Sequence, residues 1–308
     1  MDAFEILARQ RYKIHGHAAV KLCLWTKKSI RGLGFCYKEK FYGIKSHRCV
    51  QCTPSVAWCT LRCAYCWRPI TEASLGCEIP EELEPKEIVE NVLRLHRQLL
   101  TGLGGVPHDA AKLEEARNPK HAAISLAGEP MIYSRISGML SEFHRLGMTT
   151  FLVTNGTLPE RIEALETLPT QFYISVCSPT EKHFKKVHAP EIRNGWSRLL
   201  RSLELMRDMN TRRVVRLTLA RGLNFELPER YAELISIAEP DFVEVKAAMP
   251  VGFAKDRLKY SQMPLHREIR EFSEKISELL GYRVADEKPD SRVVLLSSGR
   301  KKPKLGTN

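Results

Sequence analysis

From residue 120 onward, short apolar runs rich in β-branched residues alternate with longer runs in which apolar residues recur at helical spacing. This alternation predicts strands over 121–127, 149–154, 171–176, 213–220 and 241–248. It predicts amphipathic helices over 134–146, 158–167, 192–209 and 226–239. A further helix is predicted over 84–100, with Pro85 near its start, and a sixth strand over 54–58.

Six strands that alternate with helices predict an α/β fold with a parallel sheet, because strands that are apolar throughout are buried on both faces. We expect residues 53–290 to form a partial (β/α)6 barrel that ends in a helix over 262–281. Residues 1–52 form an N-terminal cysteine-rich extension, and residues 291–308 hold a closing strand over 292–296 and a basic tail. Reactive groups of such barrels lie on loops at the C-terminal ends of the strands, where "AGEP" and "TNGT" fall in this chain.

The composition is that of an ordinary globular protein, with 43% hydrophobic and 27% charged residues. No apolar run reaches the roughly 18–20 residues that a membrane span requires, so we expect no membrane association. The first residues, "MDAFEILARQRYK", do not read as a signal peptide. We therefore expect a cytoplasmic monomer, in which clustered cysteines are more often metal ligands than disulfides.

The charge of the chain is strongly basic, with a formal net charge of +12 at pH 7. Residues 1–48 carry eleven Lys or Arg residues against three acids, an excess of +8. This excess around a cysteine-rich segment predicts a polyanionic partner, namely RNA. The candidate contacts are Lys27, Lys28 and Arg31, with Arg300, Lys301, Lys302 and Lys304 in the tail.

Residues 59–66, "CTLRCAYC", hold three of the nine cysteines at the spacing C-x3-C-x2-C. Thiolates of Cys59, Cys63 and Cys66 (the first thiol triplet) can hold three irons of a cubane 4Fe–4S cluster and leave the fourth iron open. Structural zinc is the alternative, since it requires four ligands and Cys52 or His47 can supply the fourth. The spacing is uncommon for zinc, however, and an open iron suits a chelating amino acid.

The first thiol triplet, the aromatic Trp67 after its last cysteine and the "AGEP" and "TNG" loops resemble, in this order, the radical S-adenosylmethionine (radical SAM) enzymes. The resemblance implies that the triplet ligates a 4Fe–4S cluster whose open iron binds the methionyl group of S-adenosylmethionine. One electron then gives a 5′-deoxyadenosyl radical, while the protein positions the reacting groups. The residues implied for S-adenosylmethionine are Gly128 and Glu129 near the methionyl amine, Thr154 and Asn155 at the ribose, and Ser175 at the carboxylate.

Cys23, Cys36 and Cys49 (the second thiol triplet) are spaced C-x12-C-x12-C, which suits an extension wrapped around one metal centre. Three unrelated buried thiols are the alternative. With "QFYISV", "RLTLARGLN" and "DFVEVKAA", the chain resembles the archaeal tRNA 4-demethylwyosine synthase family over roughly residues 20–290. The resemblance implies two 4Fe–4S clusters, the second held by the second thiol triplet. It also implies that pyruvate is joined to N1-methylguanosine beside the anticodon of tRNA-Phe.

The same resemblance makes Lys38 the pyruvate-binding lysine. A lysine must be uncharged to form an imine with a ketone, so its pKa must fall from about 10.4. Lys40, Lys45 and Arg48 would lower the pKa of Lys38, whereas an anionic cluster would raise it, and the sequence leaves the balance open. Lys45 is the second choice for this role.

Three of the nine cysteines, Cys52, Cys77 and Cys177, stand outside the six expected ligands. Cys177 occupies a position at which family members often have an acid, and Cys52 is interpreted as structural. We expect electrons from a separate donor of the flavodoxin or ferredoxin type. Two other functions stay open at this point: a zinc-stabilised RNA-binding module without catalysis, and a radical enzyme that acts on a small molecule.

Overall fold

The computed structural model describes residues 3–70 and 74–306, and ten strands of this part of the chain form one sheet. The spatial order is β1-β2-β3-β4-β5-β6-β7-β8-β10-β9, with β3 to β8 parallel and the outer pairs antiparallel. The strands are β1 (Lys13–His15), β2 (Ala18–Val20), β3 (Cys49–Thr53), β4 (His121–Ile124), β5 (Thr149–Thr154), β6 (Gln171–Ser175), β7 (Arg212–Leu219), β8 (Phe242–Ala247), β9 (Arg283–Lys288) and β10 (Val293–Ser297). The predicted α/β fold with six parallel strands is confirmed.

Eleven α-helices lie in the described residues. They are α1 (Ala3–Arg9), α2 (Leu24–Ile30), α3 (Tyr37–Tyr42), α4 (Pro85–Leu100), α5 (Ala110–Arg117), α6 (Ile136–Arg145), α7 (Pro159–Glu163), α8 (Glu181–His188), α9 (Gly195–Arg207), α10 (Pro228–Ala238) and α11 (His266–Leu280). All six predicted helices are present, although α7 is shorter than predicted. None of the described helices is long and apolar enough to cross a membrane.

The strand predicted over 54–58 is wrong. The first parallel strand is β3, which ends at Thr53 immediately before a proline. Proline has no backbone N–H for the sheet, and the chain turns after it, with the Trp58 amide donating to the Ser55 carbonyl at 3.1 Å. The boundary drawn between residues 52 and 53 therefore falls inside β3, so the extension and the barrel share one sheet.

Helix α3 of the extension fills the interior of the barrel at the N-terminal ends of its strands. Tyr37, Phe41 and Tyr42 are buried there against inward-facing aromatic residues such as Phe151 and Tyr173. The alternate residues of the same strands face outward and pack in a separate core with the surrounding helices. The extension is thus an inner wall of the barrel.

Residues 299–306 (the basal strap) close the same end of the barrel from below. The Leu305 amide donates to the Tyr42 carbonyl at 2.9 Å, and the Lys304 ammonium donates to the Lys40 carbonyl. From β7, the Arg212 guanidinium donates to the Lys302 carbonyl at 2.9 Å. Residues 307–308 of the predicted tail lie outside the described residues.

Candidate active site

The first thiol triplet lies on the loop that follows β3. The pKa of Cys59 is raised to about 12, chiefly by burial, with Arg68 lowering it and Glu129 and Cys66 adding to the increase. The pKa of Cys63 is also raised, first by burial and then by Cys59 and Cys66. Arg68 lies buried beside all three thiols, and its Nη1 donates to the Ala57 carbonyl at 3.2 Å. The structure therefore brings the three predicted ligands together around one buried cation.

Glu129 occupies the loop after β4, where its carboxylate is buried and fully engaged. It accepts hydrogen bonds from the Thr154 hydroxyl at 2.6 Å, the Asn155 amide at 2.7 Å and the Met131 amide at 3.1 Å. Burial nevertheless raises its pKa to about 7, because these three bonds offset the desolvation only in part. The carboxylate is thus held in a fixed orientation with its ionisation balanced near neutral pH.

Gly128 is required by close packing. Its φ of +74° lies in the left-handed region, and a Cβ at this position would come 1.7 Å from the Ser55 carbonyl oxygen. The absence of a side chain lets the loop of Glu129 lie directly against the turn that precedes the first thiol triplet. The Glu129 amide donates to the Trp58 carbonyl across this contact at 2.8 Å.

The remaining predicted cofactor residues end β5 and β6. The Asn155 side-chain amide donates to the Thr60 hydroxyl at 2.8 Å and lies 3.9 Å from the Cys59 sulfur, so it joins the two loops. The Thr154 hydroxyl bonds Glu129 rather than facing an open space. Ser175 ends β6 on the same face as the inward-pointing Tyr173.

The second thiol triplet is also assembled by the fold. Cys23 and Cys36 are the residues that immediately precede α2 and α3, and Cys49 opens β3. Burial raises the pKa of Cys49 to about 12, Lys38 lowers it, and Cys23 and Cys36 raise it. Three residues far apart in sequence thus converge at the side of the barrel that the extension covers.

Lys38 lies inside the barrel next to the second thiol triplet. Only 7% of the residue is exposed, and its Nζ lies 4.6 Å from the ring centroid of Phe151 and 4.8 Å from that of Tyr173. Burial and the Arg216 charge lower its pKa, against the opposing effects of Glu244, Cys36 and Cys49. Within the protein, the balance that the sequence left open therefore falls on the side of a lowered pKa for Lys38.

The second-choice lysine lies outside the barrel. The Lys45 side chain is 58% exposed, and its Nζ lies 3.6 Å from a carboxylate oxygen of Glu115. Lys40 is also at the surface and pairs with Asp286 at 2.9 Å. Neither of these cations appears among the causes that shift the pKa of Lys38, and the cation that matters is Arg216.

Comparisons with known proteins agree with this arrangement. The family model "Radical SAM superfamily" matches residues 53–235, and the model "Wyosine base formation" matches residues 237–298. An S-adenosyl-L-methionine-dependent tRNA 4-demethylwyosine synthase of Pyrococcus horikoshii is 52% identical over 302 residues, covering 96% of this chain and 88% of that protein. The chain belongs to the tRNA 4-demethylwyosine synthase family. The Methanocaldococcus jannaschii protein of the same name is 39% identical and covers 99% of both chains.

Solved structures of this family have the same fold. A structure of TYW1 with a lysine-pyruvate adduct bound has a TM-score of 0.89 at 38% identity, and covers 98% of both chains. The crystal structure of archaeal TYW1 has a TM-score of 0.81 at 36% identity, with the same coverage. Streptococcus suis SuiB bound to precursor peptide SuiA, with a TM-score of 0.51 at 17% identity, shares the fold alone.

A radical SAM enzyme of this family carries a 4Fe–4S cluster and S-adenosylmethionine, and the first thiol triplet fits such a cluster. No three His, Cys, Asp or Glu side chains of the described residues are arranged to hold one metal ion. A cubane differs from a single ion because each thiolate ligates a different iron. Arg68 is a buried cation whose Nε has no hydrogen-bond partner, so it can offset the negative charge of a thiolate-ligated cluster.

The candidate active site contains a buried ion pair that sequence reasoning missed. Glu244 on β8 accepts from the Arg216 Nε at 2.8 Å, the Tyr42 hydroxyl at 2.7 Å and the Tyr37 hydroxyl at 3.0 Å. This network lies directly under Lys38, since Tyr37 precedes it in α3. The signal in the sequence is the single acid of the strand "FVEVKA", because a charge in a buried strand requires a partner.

His188 and Cys177 complete the surroundings of the first thiol triplet in this synthase. The His188 Nδ1 lies 3.1 Å from the Cys63 sulfur, and burial lowers the His188 pKa to about 4. The Cys177 sulfur accepts a hydrogen bond from the Thr218 amide at 3.2 Å and interacts electrostatically with Cys63. Cys52, by contrast, is fully buried in the outer core, as a structural cysteine should be.

The predicted tRNA contacts differ in how far their side chains are engaged within the protein. Lys27 and Lys28 lie on α2, Arg31 directly follows it, and the Lys28 Nζ lies 4.8 Å from the ring centroid of Trp25. Three of the four tail cations are instead engaged within the protein. Arg300 donates to the Pro240 carbonyl, Lys301 to the Thr211 carbonyl and Lys304 to the Lys40 carbonyl.

Proposed function

We propose that this protein condenses pyruvate with N1-methylguanosine beside the anticodon of tRNA-Phe, forming the tricyclic base 4-demethylwyosine. The observation that carries the proposal is the position of Lys38, a buried lysine with a lowered pKa beside the second thiol triplet. A family member has been solved with a lysine-pyruvate adduct bound, and Lys38 has the burial and the lowered pKa that suit a lysine to form one.

The first thiol triplet holds the 4Fe–4S cluster, and Glu129 and Asn155 orient S-adenosylmethionine beside it. When bound, these groups supply the radical that abstracts hydrogen from the N1-methyl group of the substrate. The Glu129 carboxylate attracts the methionyl amine, and its bonds from Thr154, Asn155 and Met131 keep the acceptor in place. The buried walls around the two triplets exclude water from the reaction.

Lys38 presents pyruvate to the reacting methyl carbon. Its neutral amine adds to the ketone, and loss of water gives an imine that holds the carbonyl carbon inside the barrel. Binding the donor in this way replaces a bimolecular encounter by a positioned one. Burial and then Arg216 lower the pKa of the amine, whereas Glu244 neutralises Arg216 and so prevents an unpaired buried charge.

The second thiol triplet holds a second 4Fe–4S cluster next to Lys38. If it does, replacing the first thiol triplet by alanines should leave about half of the iron and sulfide of the reconstituted wild type. An iron-free triple variant would remove the second cluster from the proposal. We also propose a cytoplasmic monomer that takes electrons from a separate flavodoxin- or ferredoxin-type donor.

The reaction is tested with reduced enzyme, S-adenosylmethionine, pyruvate and tRNA-Phe that contains N1-methylguanosine, followed by mass analysis of the nucleosides. The wild type should form 5′-deoxyadenosine and a tricyclic nucleoside, and borohydride should trap pyruvate on the protein. Lys38→Ala should still cleave S-adenosylmethionine but form little tricyclic product and trap no pyruvate. Lys45→Ala is the matched control, because Lys45 is exposed, and it should behave as the wild type.

Two outcomes would contradict the proposal. Full product formation by Lys38→Ala would exclude Lys38 as the pyruvate-binding residue. A wild type that consumes no pyruvate would show that this chain uses another carbon donor.

A further inference from the structure

Residues 24–35 (the interthiol lobe) lie between Cys23 and Cys36 of the second thiol triplet and carry exposed apolar side chains. Leu24 is 61% exposed, Leu33 58% and Phe35 38%. Both ends of the lobe are fixed, because Cys23 and Cys36 immediately precede α2 and α3. Apolar side chains on such a short, anchored segment form a patch that a binding partner can cover.

The interthiol lobe contacts two separate parts of the protein. On one side, the Thr26 hydroxyl of α2 donates to the Ser46 carbonyl at 3.1 Å, in the turn that leads into β3. On the other side, the Lys288 Nζ at the end of β9 lies 4.5 Å from the Phe35 ring centroid and 5.5 Å from that of Trp25. The lobe therefore contacts the turn before β3 and the end of β9, and it leads through Cys36 directly into the helix that carries Lys38.

The charge of the lobe favours RNA over an apolar protein surface. Lys27, Lys28 and Arg31 are interleaved with the apolar residues, whereas Lys288, next to the two aromatic rings, is buried and paired with Asp290 at 3.3 Å. The lobe itself contains no acid. Aromatic rings among cations are the combination that binds single-stranded nucleic acid, since bases stack on the rings and phosphates pair with the cations.

We propose that the interthiol lobe binds unstacked bases of the anticodon loop that neighbour the target nucleoside. Phe35 and Trp25 stack on the bases, Leu33 packs beside them, and the lobe cations contact the backbone. A target base must leave its stack to reach a reactive centre inside a barrel, so its neighbours need a surface to hold them. This inference rests on the proposed function and adds the part of the protein that holds the RNA during the reaction.

The test measures the affinity of the reconstituted holoenzyme for N1-methylguanosine-containing tRNA-Phe at several salt concentrations under anaerobic conditions. Phe35→Ala and Leu33→Ala together should weaken binding about tenfold or more, with an unchanged salt slope because the cations remain. Lys27→Ala should instead lower the slope by about one. The single variant Phe35→Trp, which keeps Leu33, should have most of the wild-type affinity, because the tryptophan ring can still stack on a base.

The matched control is Leu279→Ala on α11, since Leu279 is a 54% exposed leucine outside the lobe. It should leave tRNA affinity unchanged. Unchanged affinity in the Phe35 and Leu33 variant would overturn the inference and leave the patch to a protein partner. If Leu279→Ala weakened tRNA binding as much as the Phe35 and Leu33 variant does, the inference would also be overturned.

Borohydride trapping of pyruvate separates this inference from the proposed function. Trapping requires Lys38 but no RNA, so the lobe variants should trap pyruvate as the wild type does. Lost trapping in the lobe variants would mean that the lobe supports the Lys38 chamber and does not hold RNA. Lost trapping in the wild type would refute the proposed role of Lys38 without touching the lobe.

Discussion

Replacing Glu244 by glutamine tests whether the buried ion pair under Lys38 stabilises the fold. Glu244 is fully buried and accepts hydrogen bonds from the Arg216 guanidinium and from three tyrosine hydroxyls. Burial alone would raise its pKa, but Arg216 and Lys38 outweigh that effect and lower it. The carboxylate is therefore ionised at neutral pH, and Glu244→Gln removes a charge while keeping the shape of the side chain.

The loss of stability in Glu244→Gln follows from the Arg216 charge that remains in the barrel. Arg216 is bound to Glu244 at 2.8 Å, its side chain is 15% exposed, and the variant leaves its charge without a counterion. Tyrosine hydroxyls can rotate to accept from the new amide, whereas a guanidinium can only donate. Breaking a buried ion pair by removing one partner costs about 3–5 kcal/mol of the free energy of unfolding.

The assay compares thermal unfolding midpoints of reconstituted proteins under anaerobic conditions. Glu244→Gln should lower the midpoint by on the order of 5 °C or more. The matched control is Glu233→Gln, which breaks a 2.7 Å pair with Arg230 whose side chains are 61% and 59% exposed. The control should cost less than about 1 kcal/mol. Equal shifts in the two variants would refute the argument that burial makes the Arg216 pair strong.

Two further predictions concern the loop of Glu129. Gly128→Ala should lower the free energy of unfolding by about 2–4 kcal/mol through the clash with Ser55 and the positive φ, whereas Gly222→Ala, with φ +72° and open space around it, should cost about 1 kcal/mol. Equal losses would rule out the clash. The affinity for S-adenosylmethionine should fall as pH drops from 8 to 6, because a pKa of about 7 makes Glu129 lose the charge that attracts the amine. Glu129→Gln should bind more weakly at pH 8 and show no such dependence, and a flat wild-type profile in equilibrium binding would contradict this role.

The parallel strands could be predicted from the sequence because each is a run of apolar residues between polar loops. The strand that opens the barrel could not, since "CVQCT" contains two cysteines and a glutamine and borders on Pro54. Strands β1 and β2 have three residues each, too few for an alternation to be recognised. These elements depend on pairing partners rather than on local pattern.

Some features of the candidate site could likewise be predicted from the sequence, whereas others could not. The first thiol triplet lies within one short loop, so its spacing alone reveals it. The role of Arg216 depends instead on which residues of the neighbouring strands lie opposite it. Arg216 lies opposite Glu244 on the neighbouring strand and opposite Ser175 on the other. Only the aligned sheet shows that an arginine from a basic run and an acid from an apolar run form one buried pair. The hydrogen bonds of the tail cations within the protein could not be predicted either, because their carbonyl partners come from other parts of the chain.

The basal strap has a consequence for the order in which the enzyme is assembled during synthesis. The Lys304 ammonium lies 3.4 Å from the Glu39 carbonyl, which joins residues 265 positions apart. Contacts of such sequence separation form late, because the whole intervening chain must close into a loop first. A ribosome must therefore complete the entire barrel before α3 can be locked in place. The helix that carries Lys38 is translated long before the basal strap, yet it reaches its final position only after the strap has been made.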